Sequence, residues 1–479
     1  MLEGLEISIL KRSELDSIQN RIDPEFYSKR YIKYENVLER QGYRTLADYG
    51  AQLDCSAFYP AITDYYNFAG EGIPFIRVNE IQDGMVQITT STAFLPSSVI
   101  ELNSNTIART YPNDIIIAKG GNTLAKVGIV TDKYPEYAVS RDVIILRTHC
   151  IPENLRYYIW AFMHSLYGYD SMIRTASQTG QPHLTLPFIA TLRIPLMSNR
   201  LLDVIRNNYI QATEIQESAE EKYNIACNSL FNELQIDCLF CINNLSTTIL
   251  SYRESFVMNG RLDAEYFLPV YSKLFDLLAQ VETKHLGELV TIQKSIEPGG
   301  DFYMSEGIPF VRVADLTKFG VTDPSIYLDK EIFKDVIRPR KDTILMSKDG
   351  SIGIAYKVEK DEDFITSGAI LHLQIIDDNI LPDYLTLVIN SKVVQMQAER
   401  DSGGSIIQHW KPSEISNVVI PILPMEKQQE ISQLVQESFR LRSESKRLLN
   451  VAKTAVEIAI SENEETALNY LKENDNDKA

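Results

Sequence analysis

The chain has 479 residues, of which 44% are hydrophobic, 9% aromatic and 23% charged, the composition of a folded protein rather than a fibrous or disordered one. At about 150 residues per domain, this length predicts two or three domains, each able to bury its own core. With 47 Lys and Arg against 65 Asp and Glu the net charge is −18, which excludes a free-standing polyanion binder and makes any nucleic-acid role local or shared.

The opening Met1-Leu2-Glu3 shows no basic, apolar and small-residue succession, and no stretch reaches about 18 continuous apolar residues, so neither export nor membrane spanning is expected. The five cysteines, Cys55, Cys150, Cys227, Cys238 and Cys241, form no disulfide framework, and a reducing cytoplasm fits them. Arg21-Ile22-Asp23-Pro24-Glu25-Phe26-Tyr27 is the first segment to return, 240 residues on, as Arg261-Leu262-Asp263-Ala264-Glu265-Tyr266-Phe267. Gly72-Ile73-Pro74-Phe75-Ile76-Arg77-Val78 returns 235 residues later as Gly307-Ile308-Pro309-Phe310-Val311-Arg312-Val313. His183 and Ile194-Pro195 return 226 residues later as His409 and Ile420-Pro421. A drifting offset is what one duplicated framework leaves when its loops gain and lose residues.

Asp114-Ile115-Ile116-Ile117-Ala118 and Val143-Ile144-Ile145-Leu146, mirrored by Asp342-Thr343-Ile344-Leu345-Met346 and Ile370-Leu371-His372-Leu373, read as short strands bounded by Gly, Asp and Ser. Short helices are expected from Asn154 to Leu166 and from Asp383 to Ser391, so the globular halves are α+β. The loops diverge: Gly120-Gly121-Asn122-Thr123-Leu124-Ala125-Lys126-Val127-Gly128 stands against Lys348-Asp349-Gly350-Ser351-Ile352-Gly353. From Leu201 to Leu234 the apolar residues Leu201, Leu202, Val204, Ile205, Tyr209, Ile215, Ala219, Tyr223, Ala226, Leu230 and Leu234 fall three and four apart, without Pro or Gly between them. Ile431, Leu434, Val435, Phe439, Leu441, Leu448, Leu449, Ala452, Val456 and Ile460 repeat the stripe. Each run predicts a helix of about 50 Å; each could cover its own domain, but two matching stripes in one chain favour an antiparallel pair. The tail from Glu462 to Ala479 turns polar and acidic and is expected to fray.

No chemistry-bearing motif emerges. Cys238-x2-Cys241 has no second ligand pair and reads as an apolar cluster with Leu239 and Phe240 rather than a zinc site. The glycines from Gly120 to Gly128 lack the order of a phosphate loop and fit a tight turn. Methyl transfer would show an [ND]-P-P-[YF] element and a glycine-rich cofactor loop, and neither is present. His183 and His409, next to Gln181 and Gln408, read as structural caps before the last strand of each copy, with DNA contact as the alternative. Arg77 and Arg312 alternate with apolar neighbours and either face a ligand or satisfy a scaffold carboxylate. Lys119, Asn122, Lys126 and Arg141, with Lys348, Ser351 and Lys411 in the second half, occupy polar loops that could reach phosphates or base edges.

Taken in order, the duplicated Gly-Ile-Pro-Phe-x-Arg-Val element, the Arg-x-Asp-x-Glu-aromatic opening, the Ile-Pro before each helix, and Pro424-Met425-Glu426-Lys427-Gln428-Gln429-Glu430-Ile431 resemble the specificity subunits of Type I restriction-modification systems, over about residues 5 to 465. In the first copy Leu196-Met197-Ser198-Asn199 replaces the Leu-Pro-Met-Glu of the second. The resemblance implies two homologous α/β-mixed target recognition domains, 1–195 and 246–422, separated by two long antiparallel coiled-coil-like helices, 196–245 and 423–472, with 473–479 an acidic flexible tail. It implies a non-catalytic cytoplasmic subunit that reads double-stranded DNA with Arg77, Lys119, Asn122, Lys126, Arg141, Arg312, Lys348, Ser351 and Lys411. It also implies recruitment of two methyltransferase subunits, which bring S-adenosylmethionine, and two restriction subunits with ATP and Mg, and helix positions Leu202, Ile205, Tyr209, Leu434, Leu441 and Leu448 as partner contacts. The chain itself would hold no cofactor or metal.

Because the loops of the two copies differ, the two half-sites should differ in sequence, giving an asymmetric bipartite target. Residues 40 to 195 carry 12 Lys and Arg against 13 Asp and Glu, and residues 281 to 422 carry 15 against 22. Partner subunits are therefore expected to supply much of the phosphate neutralisation. The rival readings are a protein-only adaptor, whose negative surface repels DNA, and a specificity module of another methyltransferase-based defence assembly.

Overall fold

The computed structural model describes residues 7–12, 15, 21–89, 91–176, 182–236, 247–322, 324–402 and 409–476. The chain divides into two units, residues 1–215 with 443–479 and residues 216–442. The expected domain edges at 195 and 246 are therefore not where the fold divides: each unit takes part of both long helices, Asn199–Leu234 and Met425–Ser461.

The main sheet of the first unit orders its strands Gln52–Cys55, Val143–Arg147, Ile115–Ala118, Val127–Ile129, Met85–Val86 and Ile81–Gln82. Val143–Arg147 and Ile115–Ala118 are apolar apart from the terminal Arg147 because both faces are covered. Ile115, Ile117, Ile144 and Leu146 join a core with Tyr158, Phe162, Ile194, Leu201, Ile205, Leu448 and Ala452. Ile116, Ala118, Val143 and Ile145 point the other way and pack with Ile76, Tyr137 and Val139, the latter three from a second sheet ordered Ala93–Leu95, Ile73–Ile76, Tyr137–Val139 and Arg109–Thr110. The period-two alternation of a strand thus divides one apolar run between two cores, each buried side chain contributing about 1.5–3 kcal/mol.

The second unit repeats this plan. Its main sheet runs Val290–Lys294, Ile370–Ile375, Ile344–Ser347 and Ala355–Lys357. Ile344, Met346, Leu371 and Leu373 face Tyr384 and Ile420, while Leu345 and Ile370 face Val311 and Val358. Ile308–Val311 pairs in parallel with Ile365–Thr366, as Ile73–Ile76 does with Tyr137–Val139. Thr283–His285 pairs with Val419–Pro421, as Tyr43–Thr45 does with Arg193–Pro195. The glycines that open the repeated motif are required by this packing: Gly72 at φ +104° and Gly307 at φ +140° lie where a Cβ would sit 2.3 Å from the Leu95 carbonyl oxygen and 2.2 Å from that of Leu328. Just before the equivalent central strands, Asn113 (φ 73°) and Asp342 (φ 63°) supply side chains that tolerate the left-handed conformation.

The helices also match. Each predicted short helix, observed as Glu153–His164 and Pro382–Asn390, is followed by another that sequence periodicity did not reveal, Leu166–Thr175 and Lys392–Asp401. A serine breaks each pair: Ser165 Oγ donates to the Phe162 carbonyl at 2.6 Å and Ser391 Oγ to that of Val388 at 2.6 Å. Tyr158 and Tyr384 donate their buried hydroxyls to the carbonyls of Pro195 at 3.0 Å and Pro421 at 2.9 Å, tying the Ile-Pro strand to the helical layer.

Within the first unit the long helices run antiparallel, Ser445 Oγ donating to the Ala212 carbonyl at 2.7 Å and Ser198 N to Glu464 Oε1 at 2.9 Å. Within the second unit they do so as well, with Ser438 Oγ on the Ala219 carbonyl at 2.6 Å and Lys427 Nζ 3.5 Å from Glu233 Oε1. The second helix ends at Ser461 rather than reaching 472, and the expected fraying of the tail is not observed. Asn463 accepts the Thr466 N–H at 3.0 Å, which caps a separate helix, Glu464–Asn476, and Ala467, Leu468 and Leu471 are buried. A capped start and three apolar residues on one face outweigh the acidic composition. Residues 477–479 lie outside the described residues. No helix among the described residues is long and apolar enough to cross a membrane.

Candidate nucleic-acid interface

In each unit a lysine follows the second central strand, and its backbone is held on both sides. Lys119 N donates to the Asp142 carbonyl and its carbonyl accepts Leu184 N, both at 2.8 Å. Lys348 N donates to the Ala369 carbonyl and its carbonyl accepts Trp410 N, both at 2.9 Å. The next residue forms an isolated bridge to the repeated histidine, Gly120 to His183 and Asp349 to His409. The histidines do help hold this junction, and a one-turn helix, Leu186–Ala190 or Pro412–Ser416, separates them from the last strand. Exposed Arg141 joins Lys119 and His183 through the Lys119–Asp142 bond, and Asn122 follows in the turn Gly121–Thr123. In the second unit Lys348, exposed Ser351, His409 and exposed Lys411 gather in the same way. Five of the loop candidates with described side chains thus converge on one kind of site, although they are 3 to 63 residues apart in sequence within a unit.

The two junctions differ in where their carboxylate stands. Asp349 accepts His409 Nδ1 at 2.8 Å and the ammonium of Lys348. Burial pushes its carboxyl upward, but these two donors outweigh that and hold it below the ordinary carboxylate range. Lys411 places its ammonium 3.2 Å from Glu414 and keeps its side chain 75% exposed. In the first unit glycine occupies the position of Asp349, and a Cβ there would lie 2.3 Å from His183 Nδ1.

The other candidates go elsewhere. Arg77 N donates to the Glu80 carboxylate at 2.9 Å and its guanidinium to the other Glu80 oxygen at 2.9 Å, and Glu80 is buried; Arg312 N donates to Asp315 at 2.9 Å. Both arginines end their strands and serve the scaffold carboxylate that follows them. Lys126 turns toward Asp83, and burial lowers its pKa. Leu202, Ile205, Tyr209 and Leu448 are at most 5% exposed, so they cannot be partner contacts: the intramolecular helix packing consumes them. Leu434 and Leu441 are only partly buried. Gln181, Gln408, Cys238, Leu239, Phe240 and Cys241 lie outside the described residues, among which no group of three His, Cys, Asp or Glu could hold a metal ion.

One repeated feature was missed in the sequence. Tyr66 packs on Phe75 with ring centroids 5.8 Å apart and planes at 41°, and Tyr303 packs on Phe310 at 5.8 Å and 39°. This fixes the preceding aromatics, Tyr65 and Phe302, at 55% and 46% exposure. The loops reach the junctions, since the Tyr59 side chain bonds the Arg141 backbone and Gly368 N donates to the Ile296 carbonyl at 2.7 Å. The signal was available: Tyr65-Tyr66 returns as Phe302-Tyr303 at an offset of 237.

Residues 279–452 match the family described as the Type I restriction modification DNA specificity domain. No curated protein sequence matches the chain. Among solved structures, the chain is similar to the S subunit of a Type-I restriction-modification system from M. genitalium, at 13% identity over 90% of this chain and 95% of that one, with a TM-score of 0.32. It is similar also to the HsdS subunit from Thermoanaerobacter tengcongensis, at 13% identity over 86% and 97% of the two chains, with a TM-score of 0.27. A type IIG restriction endonuclease, BpuSI, aligns at 12% identity over 41% of this chain and 30% of that one, with a TM-score of 0.31.

Proposed function

We infer that a chain whose residues 279–452 match the Type I restriction modification DNA specificity domain, and whose first unit repeats the central strands of the second, is the sequence-specificity subunit of such a system. The duplication carries this reading: one recognition junction per unit, built on the same backbone bonds with different side chains, suits two half-sites of different sequence. Each junction sets imidazole and cationic groups beside strand ends, which suits contact with phosphates and base edges.

In this reading the chain is a non-catalytic subunit and the chemistry belongs to its partners. Two methyltransferase subunits would bring S-adenosylmethionine and modify adenine, and two restriction subunits would bring ATP and Mg, all in the cytoplasm. The chain's own task is to hold DNA and partners in register. Its acidic balance supports shared binding, because phosphate contacts dominate affinity and salt dependence and 12 cations against 13 anions in residues 40 to 195 supply little net attraction.

The test is the adenine methylome of cells carrying the methyltransferase gene with and without this gene. Loss of one asymmetric bipartite motif on deletion is the expected result and gives both half-sites directly. An unchanged methylome with the protein expressed would overturn the reading in favour of an adaptor.

A further inference from the structure

In each unit one loop leads from the strand at one end of the main sheet to the repeated Gly-Ile-Pro-Phe strand, residues 56–72 in the first and 295–307 in the second. Both loops make a single 3-10 turn, Thr63–Tyr65 and Gly300–Phe302. Tyr66 N closes the first on the Thr63 carbonyl and Tyr303 N the second on the Gly300 carbonyl, each at 3.1 Å. The next residue is pinned by a reciprocal pair of backbone bonds, Asn67 with Phe94 and Met304 with Tyr327. Tyr66 and Tyr303 turn inward onto Phe75 and Phe310, which sets the ring before each of them at the surface. Tyr65 is exposed, and so is Phe302, whose ring stands edge-on to Phe333 with centroids 5.6 Å apart. Phe58 and Phe68 in the first loop and Met304 in the second are exposed as well.

Aromatic and methionine side chains held outward on ordered backbone are the anchors from which protein interfaces are built. The charges indicate which kind of surface covers them. Residues 56–72 hold Asp64 and Glu71, residues 295–307 hold Glu297, Asp301 and Glu306, all five are exposed, and neither loop contains Lys or Arg. Duplex DNA presents phosphates, which these carboxylates repel, and proteins that insert apolar wedges into a groove set cations and amides beside them. An apolar pocket rimmed by Lys or Arg on another protein complements both features at once. Because the loop recurs once per unit on the same backbone bonds, it suits a partner present in two copies.

We propose that residues 56–72 and 295–307 are docking loops, each seating Tyr65 or Phe302 in an apolar pocket with a cationic rim on one methyltransferase subunit. This rests on the specificity-subunit reading, which calls for such a partner twice. Leu202, Ile205, Tyr209 and Leu448 are consumed inside the chain, whereas these loops offer apolar surface that is both duplicated and exposed. Their bonds to the junctions, Tyr59 to the Arg141 backbone and Gly368 N to the Ile296 carbonyl, place a docked partner beside the groups that face DNA.

The experiment titrates the full chain with its purified methyltransferase partner in the absence of DNA, reading stoichiometry by sedimentation velocity and affinity by calorimetry. The unaltered chain should bind two subunits. Tyr65→Ser and Phe302→Ser should each weaken one of the two sites at least about tenfold, and the double variant both, while Tyr65→Phe and Phe302→Tyr, which keep the ring, should bind as the unaltered chain does. Asp64→Asn combined with Asp301→Asn should flatten the salt dependence of binding, a readout that leaves the packing of the rings untouched. A thermal melt of each variant establishes that it is folded. Two sites of full affinity in the double serine variant would overturn the proposal, as would a salt dependence unchanged by the two asparagines. A loss seen only in the DNA affinity of the assembled complex would also overturn it, by assigning the rings to the duplex. An unaltered chain that binds no methyltransferase subunit would overturn the specificity-subunit reading itself, and this proposal with it.

Discussion

Lys357 and Asp383 form an ion pair inside the second unit, with Nζ 2.8 Å from Oδ1 and side chains 7% and 8% exposed. Gln436 donates to the other carboxylate oxygen at 2.6 Å, and half-exposed Glu359 and Asp342 lie 3.3 and 3.9 Å from the ammonium. Replacing Lys357 by Met leaves Asp383 ionised, buried and supported by one amide, a change that costs about 3–5 kcal/mol. Replacing both, as Lys357→Met with Asp383→Leu, removes the uncompensated charge, and Glu359 and Asp342 can turn to water. The double variant should therefore be at least about 2 kcal/mol more stable than the single one, a coupling that a double-mutant cycle reads directly. The assay is urea unfolding of the full chain with hydrogen exchange resolved by peptide, so that Ile344–Ser347 and Ala355–Lys357 report on this unit and Ile115–Ala118 serves as the control. A single variant that loses less than about 1 kcal/mol, or a double variant that loses as much as the single, would refute the reasoning. The pH dependence has a definite sign. Burial pulls the lysine's pKa down, but Asp383 and then Glu359 push it up further, so it ends above the ordinary 10.5. The pair's contribution is fully present below the unfolded value and is lost as pH rises through the folded one, so the advantage of the native pair over the double variant shrinks only above about pH 10.5.

His372 is 1% exposed, lies 2.7 Å from Thr366 Oγ1 through Nε2, and is pushed by burial from 6.5 down to about 4. The unfolded chain then binds the extra proton between these values, so stability falls as pH drops from 6.5 toward 4, by up to about 3 kcal/mol; His372→Gln should flatten that limb of a pH–unfolding curve. Gly307→Ala should cost more than about 3 kcal/mol in a denaturant melt, because its Cβ would lie 2.2 Å from a backbone oxygen, whereas Gly350→Ala, at φ +74° with open space around it, should cost about 1 kcal/mol. Tyr158→Phe and Tyr384→Phe should each cost about 1–2 kcal/mol, since each strands a buried proline carbonyl, and equal losses in the two peptide sets would show that the duplicated geometry carries duplicated energetics.

The repeat and the four principal strands were legible in the sequence because duplication preserves what packing demands. Gly72 and Gly307 recur where only glycine fits against a carbonyl, and Ile115–Ala118 and Ile344–Ser347 recur as apolar runs whose two faces meet two cores. The helices Leu166–Thr175 and Lys392–Asp401 were not legible: they follow a serine break and contain long polar residues, so no stripe marks them. Glu464–Asn476 was hidden by its acidic composition, although Asn463 is an ordinary cap signal. At the candidate site, the sequence did not show which cations stay accessible. Arg77 and Lys348 look alike as isolated cations, and only the fold shows that each is held by a neighbouring carboxylate. Four of the six helix positions, Leu202, Ile205, Tyr209 and Leu448, are buried within the chain, because an apolar stripe identifies what is buried before it identifies what meets a second protein.

The two units act as an internal comparison in which the scaffold is held constant. Lys119 and Lys348 keep equivalent backbone bonds, and Tyr66 on Phe75 has the ring geometry of Tyr303 on Phe310, so neither pairing distinguishes one unit from the other. The differences concentrate at the junction. After the serines that bond Ile76 and Val311, exposed Arg141 in the first unit is matched by Gly368 in the second, and Gly120 is matched by Asp349. The first junction thus carries Lys119, Arg141 and Asp142, and the second carries Lys348, Asp349 and Lys411 and no arginine.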